Sequence, residues 1–403
     1  MEKKLRILQL SPQFPFPMTD GGKIGIANIL KYLAYCGADI DFFCLVERKP
    51  DDKYLEEASK YGRIHICEHS IRNTPRRIFK SLFQKEPLYI SKQLSKNVFK
   101  SLDKVLNTHE FDAIHADHVS MAIPALYAAR HSKAVTGIRM HNLEWEIWQR
   151  YADILHGFDP RKLFISCQAK KLRHREYQLL SLADICFPVT DRDQKIAESE
   201  IQNFKCLTVT AGVNTDEWRP DDGIERNSGQ MILATNYNWI HNVDAVDWFL
   251  DEVMPLIRGE YPDARLLLAG RGLPSRFMKM EHLGVKGLGF VDSIKPYMNS
   301  SSIYIAPLLV GGGVRIKILE AMAMELPVVA TSVSAQGIRA GNNEGLIVCD
   351  NPAEYAHSVL SLMRNPDRAV KLGKAARNFI INNHTWMRSV KKIYDSYTKL
   401  SGK

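Results

Sequence analysis

The stretch Val310–Ala330 reads VGGGVRIKILEAMAMELPVVA. A strand-like SIYIAPL runs into it, three glycines follow, and VRIKILEAMAM then has helical apolar spacing, with Val314, Ile318 and Met322 on one face. The segment closes in a second apolar run, PVVA. Strand, glycine loop, helix and strand form one βα unit of a doubly wound sheet, whose ligands sit at the carboxyl ends of strands. Glycines without Cβ atoms let backbone N–H groups approach an anion, and a helix N-terminus adds partial positive charge. With the cations Arg315 and Lys317 beside Gly311, Gly312 and Gly313, the spacing predicts a phosphate site. Gly313, Lys317 and Glu320 recur at i, i+4 and i+7, which predicts one helical stripe with Glu320 about 4.5 Å beyond Lys317 along the axis. There the carboxylate can accept from a sugar hydroxyl while Lys317 meets phosphate. The plain alternative is a glycine turn followed by a solvated Lys317/Glu320 pair.

Working outward, the same unit recurs along the chain. LRILQL, ADIDFFCLV, FDAIHA, AVTGIRM and ADICFPV alternate with helical patterns in the first half; MILAT, ARLLLAG, IYIAP, PVVAT and GLIVC do so in the second. Between them lies the polar, irregular NTDEWRPDDGIERNSGQ, which reads as a linker. A chain of 403 residues exceeds what one core usually supports. The expected fold is α/β, with Rossmann-like domains over 1–212 and 230–383, a linker over 213–229 and a terminal helix in 384–403. No solenoid-length repeat interrupts this pattern.

Composition excludes several classes. Hydrophobic content of 45% and charged content of 25% are those of a globular chain, and no run supplies the roughly 20 apolar residues of a membrane span. The opening MEKKLRILQL moves from charge straight into a strand pattern, so no signal peptide and a cytoplasmic location are expected. The seven cysteines lack Cys-x-x-Cys spacing and read as reduced core thiols. A net charge of +9 suggests a phosphate-bearing or polyanionic partner, or an anionic membrane surface. Aromatics do not interleave with the basic residues, which argues against nucleic acid.

Further matches carry a family resemblance. LEAMAMELPVVATSV from Leu319, ARLLLAGRG, GLGFVDSIKPYMNSSSIYIAPL, NYNWIHNVDAVDWFLDEVMPLI, VTAGVNTDEWRP, PFPMTDGGKIGIANILKYLAYCGADIDFFCL and IRMHNLEWEIWQR together resemble retaining GT-B glycosyltransferases of family four. The likeness is to a sub-branch with G-G-G-x-R-x-K-x-L-E-A-M-A in place of the full E-x7-E element; Gly312 stands where the first glutamate would be, and Glu325 where the pattern has glycine. The resemblance implies two Rossmann-like domains facing across a cleft, the second binding a nucleotide-diphosphate sugar and the last helix packing back on the first. It implies ribose binding by Glu320 and diphosphate neutralisation by Arg315 and Lys317, with Gly270, Arg271, Asp292 and Asn236 completing the donor side. Gly21, Gly22, His141, Asn142 and Glu144 fall on the acceptor side, with His141 near the reacting carbon. The expected reaction is sugar transfer with retention to a saccharide or lipid-linked saccharide, without a cofactor or metal. Two alternatives are a nucleotide-sugar 2-epimerase and a degenerate scaffold for polysaccharide assembly, the latter favoured only by Gly312.

Rival motifs have plainer readings. Asp191-Arg192-Asp193 imitates a metal-binding D-x-D but opens a helix, where acids complement the dipole. His115, Asp117 and His118 lack a further ligand for a metal and read as a loop or cleft edge. Gly270-Arg271-Gly272 lacks the third glycine of a dinucleotide fingerprint, Ser275 standing there. From Ser91 to Asn107, Lys92, Lys96, Lys100 and Lys104 oppose Leu94, Val98, Leu102 and Leu106, which predicts a basic amphipathic helix. The plain alternative is a core-packed helix with a solvated face. With Arg72, Arg76, Arg77 and Lys80, the segment 72–104 is otherwise a contact for anionic lipid at the inner face of the membrane.

Overall fold

The computed structural model describes residues 4–156, 159–221 and 223–403. The first three residues of the opening segment and Asp222 of the expected linker lie outside them. The chain forms two compact units, Met1–Thr210 with Ser389–Lys403, and Ala211–Arg388.

In the first unit, β1 (Arg6–Ser11), β2 (Asp39–Val46), β3 (Arg63–Glu68), β4 (Ala113–Ala116), β5 (Val135–Met140) and β6 (Ile185–Pro188) make one parallel sheet in the order β3-β2-β1-β4-β5-β6. The second unit repeats the arrangement. Its strands are β7 (Asn227–Ala234), β8 (Arg265–Ala269), β9 (Val285–Gly289), β10 (Ser301–Ala306), β11 (Val328–Ala330) and β12 (Leu346–Val348), in the order β9-β8-β7-β10-β11-β12. Helices cover both faces of such sheets, so inner strands are buried throughout, as β2 and β10 are. Strand order reverses between β1 and β4 and again between β7 and β10. A crevice at the carboxyl ends is expected at each reversal.

The two strands absent from the sequence reading, β3 and β9, are both sheet edges. RIHICE is half-exposed and VKGLG carries two glycines, so neither has the buried apolar run of an inner strand. The linker is also shorter than expected, because β7 starts at Asn227. At the other end of the chain, Tyr397 belongs to the helix Trp386–Ser401 and is fully buried in the first unit. Its hydroxyl lies 2.7 Å from His115 Nδ1, and a Cβ on Gly137 would fall 2.0 Å from that oxygen. Glycine in β5 is therefore what lets the ring reach the sheet. The same contact corrects the reading of His115 as part of a loop or cleft edge.

Two helix boundaries differ from the sequence reading. The helix after the glycine loop begins at Ile316, with Arg315 as N-cap, because Gly311 (φ 152°) and Gly313 (φ 76°) hold backbone that other residues rarely adopt. Gly313 and Val314 thus stay in the loop, and the stripe shared by Gly313, Lys317 and Glu320 does not form. The expected helix over Ser91–Asn107 is two helices, Leu88–Ser91 and Lys96–Leu106, divided where Ser95 caps the second by accepting from Val98 N at 3.2 Å. Val98 and Leu102 are buried against the core and Lys96, Lys100 and Lys104 are exposed. Among the thiols, Cys44, Cys67, Cys186 and Cys349 are buried, whereas Cys167 is exposed. No helix among the described residues is long and apolar enough to cross a membrane.

Glu325, where the resembling pattern has glycine, adopts φ 59°. The turn is fixed around it: Arg226 Nη1 donates to Glu325 O and Nη2 to Met324 O, both at 2.6 Å. A left-handed residue with a Cβ costs roughly 1–2 kcal/mol, partly offset by the greater freedom of glycine when unfolded. Glu325→Gly is expected to raise stability by about 0.5–1 kcal/mol in denaturant unfolding. Equal or lower stability would mean that the conformation is unstrained.

Candidate functional site

The predicted residues gather at the carboxyl ends of strands beside the reversal in each unit. In the first unit, Gly21 and Gly22 follow β1 and open the helix Gly21–Tyr35, whose N-cap Asp20 accepts from Lys23 N at 3.0 Å. Asp117 and His118 follow β4. His141 and Asn142 follow β5, and Glu144 starts the helix Glu144–Ile154.

Asp117 is fully buried and organises this group. Its Oδ1 accepts from Arg139 Nη1 at 3.1 Å and its Oδ2 from Gln9 Nε2 at 2.6 Å. Burial acts to raise this carboxyl, but the charge of Arg139 beside it outweighs that and holds it well below its ordinary value. Arg139 Nη1 also lies 2.8 Å from His141 Nε2. A guanidinium only donates, so Nε2 must accept, and the imidazole proton sits on Nδ1. The 3.4 Å approach of His141 Nε2 to Asp117 is then not a hydrogen bond. Burial first, and the charge of Arg139 second, keep His141 neutral by lowering its pKa. His141 is therefore a neutral donor through Nδ1–H. Its ring stacks on that of His118 with centroids 4.4 Å apart, and His118 Nδ1 in turn meets the Tyr89 hydroxyl at 2.7 Å.

Glu144 lies beside this pair, 3.9 Å from His118 Nδ1. Behind it, the fully buried Glu176 accepts from the backbone N–H groups of Glu144 and Trp145, both at 3.1 Å, and so caps the helix from a distant part of the chain. Burial pushes Glu144 up to about 7 against hydrogen bonds from Tyr89 and Asn142. Burial, reinforced by Glu144, pushes Glu176 up to about 8.

In the second unit the loop after β10 carries Gly311, Gly312 and Gly313. A Cβ on Gly311 would fall 1.9 Å from Arg315 Nη2, so the guanidinium fits only because that position is glycine. Arg315 Nε and Nη2 are buried with no hydrogen-bond partner among the described residues. Buried donors of this kind are costly unless something accepts from them, and an anion is the strongest acceptor. Lys317 Nζ meets Glu320 Oε2 at 2.7 Å, with side-chain exposures of 42% and 5%. The pair expected as the plain alternative is thus present, but its acid is buried and its cation is not. Burial raises Glu320 while Lys317 lowers it, the net shift being upward. The Trp218 ring lies 5.2 Å from both Lys317 Nζ and Lys295 Nζ.

The remaining predicted residues cluster at neighbouring strand ends. Asn236, after β7, shapes its own turn: Oδ1 accepts from Asn238 N at 3.1 Å and its carbonyl from Asn242 Nδ2 at 2.7 Å. Gly270, after β8, has φ 148°, and a Cβ there would meet Thr235 O at 1.7 Å. Arg271 lies over the Phe290 ring at 4.9 Å, and Asp292 is exposed after β9. Short helical turns over Ser275–Lys279 follow β8, in place of the long helix a dinucleotide fingerprint requires. Asp191 and Asp193 fall in the first turn of the helix Asp191–Glu200, whose N-cap is Thr190. Sequence reasoning missed Arg139, Glu176, Tyr89, Trp218 and Lys295. Arg139 is the fifth residue of a strand and nothing local marks it, whereas Trp218 stood in plain view inside VTAGVNTDEWRP.

Residues 230–365, which contain the glycine loop, Arg315, Lys317 and Glu320, match the family described as Glycosyl transferases group 1. The chain is 20% identical to an uncharacterized 44.6 kDa protein in the cps region of Klebsiella pneumoniae, covering 98% of this chain and 99% of that protein. It is 25% identical to the putative glycosyltransferase EpsD of Bacillus subtilis, covering 75% and 80% respectively. Anabaena HepE, solved in complex with UDP, superposes with a TM-score of 0.66 at 14% identity, covering 98% of this chain and 100% of that one. The two-domain α/β fold of GT-B glycosyltransferases is thereby shared over nearly the whole chain.

The buried acids have a consequence for pH. Folded Glu144 and Glu176 keep protons that the unfolded chain releases, so their contribution to stability is complete below about pH 4.5 and is lost as pH rises towards 7 and 8. His115, His118 and His141, whose pKa values burial depresses, act with the opposite sign in an overlapping window. The difference between variant and wild type isolates the acid. Glu176→Gln imitates the protonated form, so its stability relative to wild type should grow by on the order of 2 kcal/mol from pH 5 to pH 8 in unfolding titrations. A pH-independent difference would mean that Glu176 is ionised throughout.

Proposed function

We propose that the chain is a retaining glycosyltransferase that moves a sugar from a nucleotide-diphosphate donor to a saccharide or lipid-linked saccharide acceptor, without a metal. The observation that carries this is the pair of buried Arg315 nitrogens, Nε and Nη2, without an acceptor among the described residues beside the glycine loop, on the segment that matches the glycosyl transferase family. The UDP complex of HepE supports a nucleoside diphosphate as the leaving group, and the cps-region relative supports polysaccharide assembly as the setting. Retention and the lipid-linked acceptor rest on the family resemblance.

In this reading Arg315 takes a diphosphate oxygen with donors that have no other partner. Lys317, the exposed member of its pair, turns to the same diphosphate. Glu320 is thereby released to accept from the ribose hydroxyls. As the bond from the sugar C1 to the β-phosphate oxygen breaks, negative charge grows on that oxygen, and fixed cations and loop N–H groups stabilise it. The acceptor hydroxyl bonds to C1 on the same face and its proton passes to the departing phosphate oxygen, so no protein nucleophile is needed. The neutral His141 serves as a hydrogen-bond donor to a sugar oxygen; it is not the base. Positioning falls to Arg139, which fixes the tautomer, and to Asp117, which fixes Arg139.

Two measurements test this. Lys317→Ala should fold normally and lose at least about tenfold in turnover, since removing one preorganised stabiliser typically costs about 10²–10³; undiminished turnover would refute the role. Thermal unfolding with UDP, GDP, dTDP or ADP in EDTA should show one of them stabilising by about 2.7 kcal/mol at about 100 times its dissociation constant. If none does, with or without Mg²⁺, the chain has no diphosphate site and is not a transferase of this kind.

A further inference from the structure

The helix Pro75–Phe83 is turned inside out. The side chain it buries is the polar Ser81, with Arg77 and Ile78 half-buried beside it, whereas Phe79 (66% exposed), Leu82 (41%) and Phe83 (77%) face outward. At about 100° per residue these three share one arc, Arg76 and Lys80 lie next to it, and Ser81 and Arg77 lie opposite. Ordinary packing would rotate the rings inward.

The backbone is held so that they cannot turn. Thr74 caps the N-terminus by accepting from Arg77 N at 3.3 Å. Gln168 Nε2 reaches Ser81 O and Oγ, both at 3.4 Å. Lys171 Nζ donates to the carbonyls of Ser81, Leu82 and Gln84 at 3.1, 2.8 and 3.2 Å, placing a cation on the helix C-terminus. Phe79 and Phe83 touch edge-on with centroids 5.3 Å apart. An anchored helix with its aromatic side outward reads as a contact surface for something apolar.

Charge selects the occupant. Residues 70–85 hold Arg72, Arg76, Arg77, Lys80 and Lys85 and no acid. Arg72 is engaged with Glu47 at 3.0 Å, and Arg77 Nη1 donates to Ser70 O and Arg72 O. Arg76, Lys80 and Lys85 keep their charge for a partner. A second copy docking through a two-fold axis would set this acid-free patch against itself, which like charges oppose. An anionic bilayer accepts both halves of the surface, the rings at the acyl boundary and the cations among head groups.

We propose that the helix Pro75–Phe83 is a membrane-docking element, in which Phe79, Leu82 and Phe83 enter the interface of an anionic bilayer and Arg76, Lys80 and Lys85 bind lipid head groups. It differs from the lysine face of Lys96–Leu106, which has no exposed apolar arc. The inference stands on the helix alone and holds whether or not the chain transfers sugar.

The test is flotation of the full chain with vesicles of phosphatidylcholine alone or mixed with phosphatidylglycerol. Wild type should float with the mixed vesicles, weakly with the neutral ones, and less as salt rises. Phe79→Ser/Phe83→Ser should lower binding to mixed vesicles by about tenfold or more. Arg76→Glu/Lys80→Glu should lower it comparably, since each basic residue near such a surface is worth about fivefold. Circular dichroism and thermal midpoints report whether each variant folds, and both changes lie on exposed positions. Equal flotation on neutral and mixed vesicles, no flotation, or unchanged binding by either folded variant would overturn the proposal. So would sedimentation showing a wild-type dimer that the Phe79/Phe83 variant dissociates, which would assign the surface to a second copy.

Discussion

Each unit is governed by the requirement that a parallel sheet be covered on both faces. Helical crossovers satisfy it, and they also send every strand in the same direction, so all carboxyl ends of a sheet emerge on one edge. Functional groups placed immediately after strands are then neighbours in space however far apart they lie in sequence. The shared strand order adds a second consequence. Where it reverses, at β1 and β4 or at β7 and β10, the flanking crossovers leave in opposite directions and open room for a ligand. Gly21, Asp117 and His141 in one unit, and Asn236, Gly270 and Arg315 in the other, occupy these edges because the topology leaves few other places for chemistry.

Within those edges the two units handle charge differently. In the first, the central groups pair mainly with one another: Arg139 meets Asp117, Gln9 meets Asp117, and His118 meets Tyr89, although Arg139 Nε and Gln9 Oε1 are buried without a partner among the described residues. Such a network fixes the geometry and tautomer of His141. In the second, the Arg315 guanidinium is buried with two nitrogens lacking acceptors. In the proposed reading, the first unit's cluster orients and the second unit's Arg315 takes the anion.

Much of this was legible in the sequence because it is local. Inner strands announced themselves as apolar runs, and Gly311, Gly313, Arg315, Lys317 and Glu320 sit within ten positions of one another. What escaped was of two kinds. Strands β3 and β9 lack a buried apolar run, so their pattern is weak. Partners distant in sequence leave no local trace: Tyr397 reaches His115 across 282 positions and Glu176 reaches Glu144 across 32. The helix start was misplaced for a different reason. Helical spacing ran on through Gly313 and Val314, but left-handed glycine backbone ends a helix whatever the side-chain period promises.

The Lys317–Glu320 pair shows why a plain reading and a functional one need not compete. The two side chains lie one turn apart and their contact at 2.7 Å is what any i, i+3 acid and base would make. The asymmetry of exposure is what is unusual. Glu320 is buried and needs a partner at all times, whereas Lys317 is accessible and rests over Trp218 beside Lys295. A ligand that presents an anion to Lys317 and hydroxyls to Glu320 replaces one charge-assisted contact by two and keeps the buried carboxylate hydrogen-bonded. A ligand bearing only the anion would strip Glu320 of its cation and incur the cost of an uncompensated buried carboxylate. In the proposed reading, the pair would favour a molecule that carries phosphate and hydroxyl groups together over inorganic phosphate alone.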